Sequence, residues 1–309
     1  MDITILLWFQ KIRIMLGPVA ETAVSFLSDL AGAGSISLLL YLFWAKDRKN
    51  GRYFLLVMII SVFLNQFLKV TFTVFRPWIL WPDINPAEAA LKHATGYSFP
   101  SGHTQCACAA CFSILMKTDR QEYRRERIFM VFTAVFTGFS RMYLGVHTPQ
   151  DVLAGAAVSA FSAYAGLLID SLMNDPAKRK YCIAAGMILA AASAYYTLTK
   201  IYPGNYVNGA ISLNPSGMIT DSLMHIGASA GGFCFLCSRE DSIPAADKEY
   251  RLILKAAVSI ILLAALSTLI ITVINIPLNY YAALLAGTFA GGAAAVTLVP
   301  EYVFDRPLS

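Results

Sequence analysis

Residues 53–75 read YFLLVMIISVFLNQFLKVTFTVF and carry one formal charge, Lys69. A helix rises about 1.5 Å per residue, so a stretch of this length crosses the roughly 30 Å hydrocarbon core of a bilayer. The apolar residues run on without the period-two alternation of a barrel strand, which argues for a helix. Working outward, further apolar stretches lie near 22–45, 101–117, 127–145, 151–173, 181–199, 220–237, 254–275 and 280–299. Charged clusters or helix-breaking turns separate them, among them 46–52, Asp175–Pro176 and Asn275–Ile276–Pro277. The expected fold is all-α: a polytopic membrane helix bundle of about nine transmembrane helices in a single domain, 1–309.

Composition agrees. Of 309 residues, 57% are hydrophobic and 14% charged, and the mean hydropathy is +0.58. Soluble domains carry about 25% charged residues. This excludes a disordered chain, a coiled coil and a nucleic-acid-binding module. Residues 1–18 differ, mixing Trp8 and Phe9 with Lys11 and Arg13 and ending at Gly17–Pro18. They are expected to form an amphipathic helix lying at the membrane interface. The rest divides into a six-helix core at 19–200 and three additional helices at 201–309. Basic residues collect in alternate linkers: Lys46, Arg48, Lys49 and Arg52; Lys117, Arg120, Arg124, Arg125 and Arg127; Lys178, Arg179 and Lys180; Arg239, Lys248, Arg251 and Lys255. Cytoplasmic loops hold such residues, so the N-terminus is expected outside and the C-terminus inside.

Three segments on the opposite, outer side carry chemistry. The first is Lys69-x6-Arg76-Pro77. Seven residues is close to two helical turns, so Lys69 and Arg76 are expected on one face, with Pro77 ending the helix. The second is Pro100–Ser101–Gly102–His103 at the start of the third stretch, with Ser101 as N-cap and the amides of Gly102 and His103 facing an anion. The third is Ser140–Arg141-x5-His147-x3-Asp151. Together they offer three cations, two imidazoles, a hydroxyl, a helix N-terminus and a carboxylate. That inventory suits phosphoryl transfer through a covalent histidine. Lys69, Arg76 and Arg141 neutralise phosphoryl oxygens. His147 attacks phosphorus and Asp151 holds its far ring N–H. His103 protonates the leaving oxygen and then activates water. Metal-ligand clusters do not accompany these residues in the sequence, so neither a metal nor another cofactor is expected.

The three segments resemble the signature motifs of the type-2 phosphatidic acid phosphatase and haloperoxidase superfamily, K-x6-RP, PSGH and SR-x5-H-x3-D. The match covers roughly residues 69–151. The resemblance implies His147 as nucleophile, His103 as acid and base, Asp151 as the group that orients His147, and Lys69, Arg76, Ser101, Gly102 and Arg141 as the phosphate cradle. It implies a membrane lipid phosphate or diphosphate as substrate: phosphatidic acid, phosphatidylglycerol phosphate or a polyprenyl diphosphate. The site would face the extracytoplasmic side of a bacterial inner membrane. The helix count is also similar to the glucose-6-phosphatase branch, which keeps a sugar phosphate as the alternative substrate. A lipid phosphotransferase would use the same phosphoenzyme.

Other candidates receive plainer readings. Cys106, Cys108, Cys111, Cys234 and Cys237 lie in apolar helices and are expected to pack as small hydrophobes. His93 is expected in a solvated loop. Asp221 and His225, four apart, form a local pair. Asp29 is an ionisable group in the first stretch without an evident partner. The loop 78–99, with Trp78, Trp81 and Pro82, serves as either a lid or an interfacial anchor.

Overall fold

The computed structural model describes residues 3–41, 48–91 and 94–238, apart from 95, 204, 208, 209 and 214, together with Gly287. In order the elements are α1 (Thr4–Tyr41), α2 (Arg48–Phe72), α3 (Pro77–Leu80), α4 (Glu88–Leu91), α5 (Gly102–Lys117), α6 (Arg124–Tyr143), α7 (Pro149–Met173), α8 (Pro176–Thr199), β1 (Asn205–Val207), β2 (Ala210–Leu213) and α9 (Pro215–Ser238). The expectation of a helical fold is met apart from β1 and β2. These two strands pair antiparallel, Tyr206 opposite Ile211, in the connection to α9.

Among the described residues, Thr4–Gly32, Asn50–Leu80, Pro149–Met173 and Pro176–Thr199 are long and apolar enough to cross a membrane. α5 has 16 residues, about 24 Å of rise. α6 opens on Arg124, Arg125, Glu126 and Arg127. The stretches expected at 254–275 and 280–299, His93, and the side chains of Cys234 and Cys237 lie outside the described residues.

α1 is two helices joined at a break. Gly17 has φ 78° and ψ 177°, a conformation that glycine adopts without a Cβ clash, and Pro18 follows. The segment before the break is too short to span hydrocarbon. It exposes Trp8, Ile14 and Met15 and buries Leu6 against Ile84 and Met142. Arg13 does not reach out to the headgroups as an amphipathic helix would have it. It is buried, donating to the carbonyls of Tyr143 and Asn85 and pairing with Glu21.

α5 sits at the centre, packed by α1, α2, α6 and α7, while α8 and α9 lean on each other and α9 on α2. The core joins Tyr53, Phe54 and Val57 of α2 to Ala107, Ala110 and Ile114 of α5, Met130 of α6 and Ala163 of α7. Small residues let helices approach closely where lipid supplies no hydrophobic drive. A Cβ on Gly155 of α7 would lie 2.9 Å from the Ser101 carbonyl, and one on Gly166 would lie 2.7 Å from Val57. Large apolar side chains such as Phe132, Phe161, Leu168 and Ile188 point outward, as an integral membrane protein requires. At one end of the bundle Asp170 of α7 accepts from Arg52 Nε at 2.7 Å and Lys117 Nζ at 3.0 Å, locking α2 and α5 to α7.

Candidate active site

α2 ends at Phe72, earlier than Pro77 dictates, because Thr73 turns into the left-handed region at φ 47°. Arg76 is therefore extended (φ −66°, ψ 153°) at the start of α3. The expectation that Lys69 and Arg76 share a helix face is overturned: Lys69 lies in the last turn of α2 and Arg76 beyond it. Both nevertheless face the same buried site. The Arg76 guanidinium donates to Gly96 O at 3.1 Å and Val146 O at 3.0 Å, and its Nη1 lies 2.9 Å from His147 Nε2.

His147 and Asp151 flank the start of α7. Thr148 caps that helix, and Asp151 completes the capping box through a 2.7 Å bond from Thr148 N to Asp151 Oδ2. The same Oδ2 accepts from Ser98 Oγ at 2.7 Å and lies 3.5 Å from His147 Nδ1. Ser98 Oγ is 3.4 Å from Nδ1, so Ser98 and Asp151 together flank that nitrogen. Arginine has no acceptor. Its approach to Nε2 therefore assigns the His147 proton to Nδ1, facing Asp151, and the lone pair to Nε2. His147 is 2% exposed. Burial, and then the positive charge of Arg76, hold its pKa well below the ordinary histidine value. The ring is neutral, as a nucleophile must be.

Ser101 occupies the N-cap position of α5, but its hydroxyl pairs with Thr104 Oγ1 at 3.0 Å and makes no cap bond. The first-turn amides of Gly102 and His103 are thus not taken by a side-chain cap, the condition for an anion site at a helix start. His103 Nε2 lies 3.2 Å from Asp29 Oδ1 of α1, and the same carboxylate is 3.9 Å from Arg141 Nη1. Arg141 is fully buried, and its Nε, Nη1 and Nη2 have no hydrogen-bond partner among the described residues. A buried guanidinium in that state calls for an anion.

Three supporting features were not singled out as site residues from the sequence. Asp29 was noted there without a partner. Ser98 lies just before the Pro100–His103 segment and had no motif to mark it. Asn65 donates to Gln105 Oε1 at 2.8 Å, and Gln105 donates to the Ser61 carbonyl at 2.6 Å. The polar break that Ser61 and Asn65 make within the apolar 53–75 stretch was the visible signal. The 78–99 loop is tied down as a wall of the site: Ala87 N donates to Leu144 O at 2.9 Å, Ser98 N to Val74 O at 2.7 Å, and Gln10 Nε2 to Asp83 O at 3.0 Å. Asp221 and His225 form their local pair, His225 Nδ1 lying 2.7 Å from Asp221 O and 3.4 Å from its carboxylate. Cys108 and Cys111 are free and buried in the core.

Comparison with known proteins gives the following. The family described as the PAP2 superfamily matches residues 50–174. An undecaprenyl-diphosphatase of Sulfolobus acidocaldarius is 27% identical over 132 residues, covering 43% of this chain and 61% of that protein. Phosphatidylglycerophosphatase B of Bacillus subtilis is 30% identical over 157 residues, covering 48% of this chain and 68% of that protein. Among solved structures, Aquifex aeolicus LpxE aligns at a TM-score of 0.43 and 24% identity, covering 52% of this chain and 93% of that one.

Proposed function

The chain belongs to the PAP2 superfamily, and from that membership and the site geometry we propose a membrane-embedded, metal-independent phosphatase. It releases inorganic phosphate from a lipid phosphate or diphosphate through a phosphohistidine, at the extracytoplasmic face of a bacterial inner membrane. The observation that carries the reading is a buried, neutral His147 with Arg76 at its Nε2 lone pair and Arg141 nearby, Arg141 lacking any hydrogen-bond partner among the described residues, and Lys69 buried close to both arginines. A phosphoryl group satisfies all three cations at once.

Chemistry follows from the positions. The phosphoryl oxygens take the Arg141 guanidinium, Lys69, the first-turn amides of α5, and Arg76 as it releases Nε2. Nε2 attacks phosphorus in line, and the Nδ1 proton stays with Asp151 and Ser98, stabilising the imidazolium side of the adduct. His103 protonates the departing oxygen and then takes a proton from the attacking water. A lipid substrate suits a site at the helix mouths of a bundle with an apolar exterior. The similar undecaprenyl-diphosphatase and phosphatidylglycerophosphatase support polyprenyl diphosphate and phosphatidylglycerol phosphate as candidates beside phosphatidic acid.

The test is phosphate release by the detergent-purified protein in excess chelator. The panel holds phosphatidic acid, phosphatidylglycerol phosphate, a polyprenyl diphosphate and glucose 6-phosphate. Turnover of a lipid is expected, falling by at least about 10³-fold in His147→Ala, the scale on which nucleophile removal acts. Turnover of glucose 6-phosphate alone would replace the lipid reading, and full activity in the variant would end the phosphohistidine mechanism.

A further inference from the structure

His147 has Asp151 to orient it; the motifs provide no corresponding group for His103. We infer that Asp29 of α1 is the positioning residue of His103, holding its Nε2–H so that Nδ1 delivers the proton to the leaving oxygen. This rests on the phosphatase reading above.

Asp29 Oδ1 lies 3.2 Å from His103 Nε2. A carboxylate in an apolar membrane helix is costly and persists where it has a partner and a task. The helix that carries it is held in place beside it: Ser140 Oγ of α6 bonds Ser28 Oγ at 2.8 Å. Three residues on, Gly32 lies beside the same ring: a Cβ there would stand 3.7 Å from His103 Cδ2, at ordinary contact distance. The carboxylate also stands 3.9 Å from Arg141 Nη1, so one group registers the acid against the phosphate cradle. Each of the two imidazoles thus has one nitrogen toward a carboxylate, with the other nitrogen of each assigned to the phosphoryl group. The electrostatics separate them. His147 is buried with Arg76 against it, and this keeps it neutral. His103 is part-exposed and faces a carboxylate.

In the first half-reaction the bond between phosphorus and His147 Nε2 forms as the bond to the leaving oxygen breaks. The bonding pair departs with that oxygen, which takes the Nδ1 proton of His103. The ring becomes neutral with Nε2–H still on Asp29. In the second half water attacks phosphorus, its proton goes to Nδ1, and the pair of the breaking P–N bond returns to Nε2 of His147.

Leaving groups provide the test. kcat/KM covers steps up to phosphoenzyme formation, where a poor leaving group needs the acid and a good one does not. The wild-type protein, Asp29→Asn and His103→Ala are compared on a short-chain alkyl phosphate and on p-nitrophenyl phosphate. Asp29→Asn keeps shape and removes charge; its thermal melting with and without vanadate, a phosphate mimic, monitors the fold and the cradle. Expected is a loss of about 10²-fold on the alkyl phosphate, at the lower end of general-acid contributions, and less than about fivefold on the aryl phosphate. The double variant Asp29→Asn, His103→Ala should fall no further than His103→Ala alone. Equal losses on both substrates, additive losses in the double variant, or no loss at all would each overturn the role of Asp29 while leaving the phosphatase standing. A wild-type protein that turns over neither these substrates nor any lipid phosphate overturns both.

Discussion

Arg141 shows what the site costs the protein. A guanidinium without hydrogen bonds to the described residues, in the bundle interior, is destabilising until an anion arrives. Arg141→Met, which keeps much of the volume, should therefore hold or raise the melting temperature while lowering kcat/KM by about 10²–10³-fold, the scale of losing one preorganised charge donor. Vanadate should raise the melting temperature of the wild type and not of the variant; stabilisation of both alike would place the anion elsewhere. His147 makes a claim about pH. Its pKa lies well below the ordinary value of about 6.5. The free enzyme therefore keeps this imidazole neutral as pH falls from 7 through 6, and, with His147 as the proposed nucleophile, kcat/KM should show no acid limb centred near 6.5. An unfolded chain binds a proton there that the folded site refuses, so this residue withdraws stability as pH falls below about 6.5. A pH–rate profile and melting curves check the two signs. At this scale the candidate site was largely legible as a cluster, because charged residues at set intervals stand out against an apolar chain. Asp29 and Ser98 were not, because their roles depend on which helix faces which. Asp29 lies more than seventy positions from the ring it holds, and Ser98 has no spacing rule that links it to His147.

Elements hold the site through close contacts between helices. The start of α5, which presents Ser101, Gly102 and His103, lies against α7 at Gly155, and Ser101 N donates to Asp151 O at 3.0 Å. A side chain at 155 must push the two apart, since its Cβ would fall 2.9 Å from the Ser101 carbonyl. Gly155→Val should destabilise by about 1–3 kcal/mol, as overpacking does, and lower kcat by moving His103 relative to His147. Unchanged melting and turnover would mean that α5 has freedom to shift. The long helices could be read because each is a largely apolar run between breakers, whereas the four-residue α3 and α4 carry no such signal. Helix ends could not be read as well. Pro77 was the visible stop signal, yet α2 closes at Phe72 with Thr73 at positive φ, a conformation that a threonine does not advertise. Ser101 was identified as a cap by residue type, but a nearby threonine hydroxyl competes for its side chain. Local patterns indicate which conformations are available, and tertiary neighbours choose among them.

Across the whole molecule, stability and chemistry occupy opposite ends of the bundle. The Asp170 ion network joins Arg52, Lys117 and Asn174, while the candidate site gathers where α2 ends and α5 and α7 begin. Asp170→Asn leaves two cations without their anion and should lower stability by about 1–3 kcal/mol in this part-exposed setting. The kcat of the folded fraction should stay the same; a loss of kcat would mean that the network reaches the site. The linker that follows α5 at this end carries Arg120, and the first turn of α6 carries Arg124, Arg125 and Arg127, so the positive-inside rule makes this the expected cytoplasmic end and the site end the expected outer one. Charge placement alone supplies the expected orientation, whereas the packing of α9 against α2 had no sequence signal, since an apolar helix face fits many neighbours. The orientation is tested in intact cells with single cysteines introduced into a variant whose six native cysteines are replaced. Asp83→Cys lies in the exposed loop at the site end, and Gln121→Cys in the exposed linker between α5 and α6. A membrane-impermeant maleimide should label position 83 in intact cells and position 121 only after permeabilisation. The reverse pattern would turn the protein over, place the phosphate cradle in the cytoplasm, and require a substrate presented from the inner leaflet.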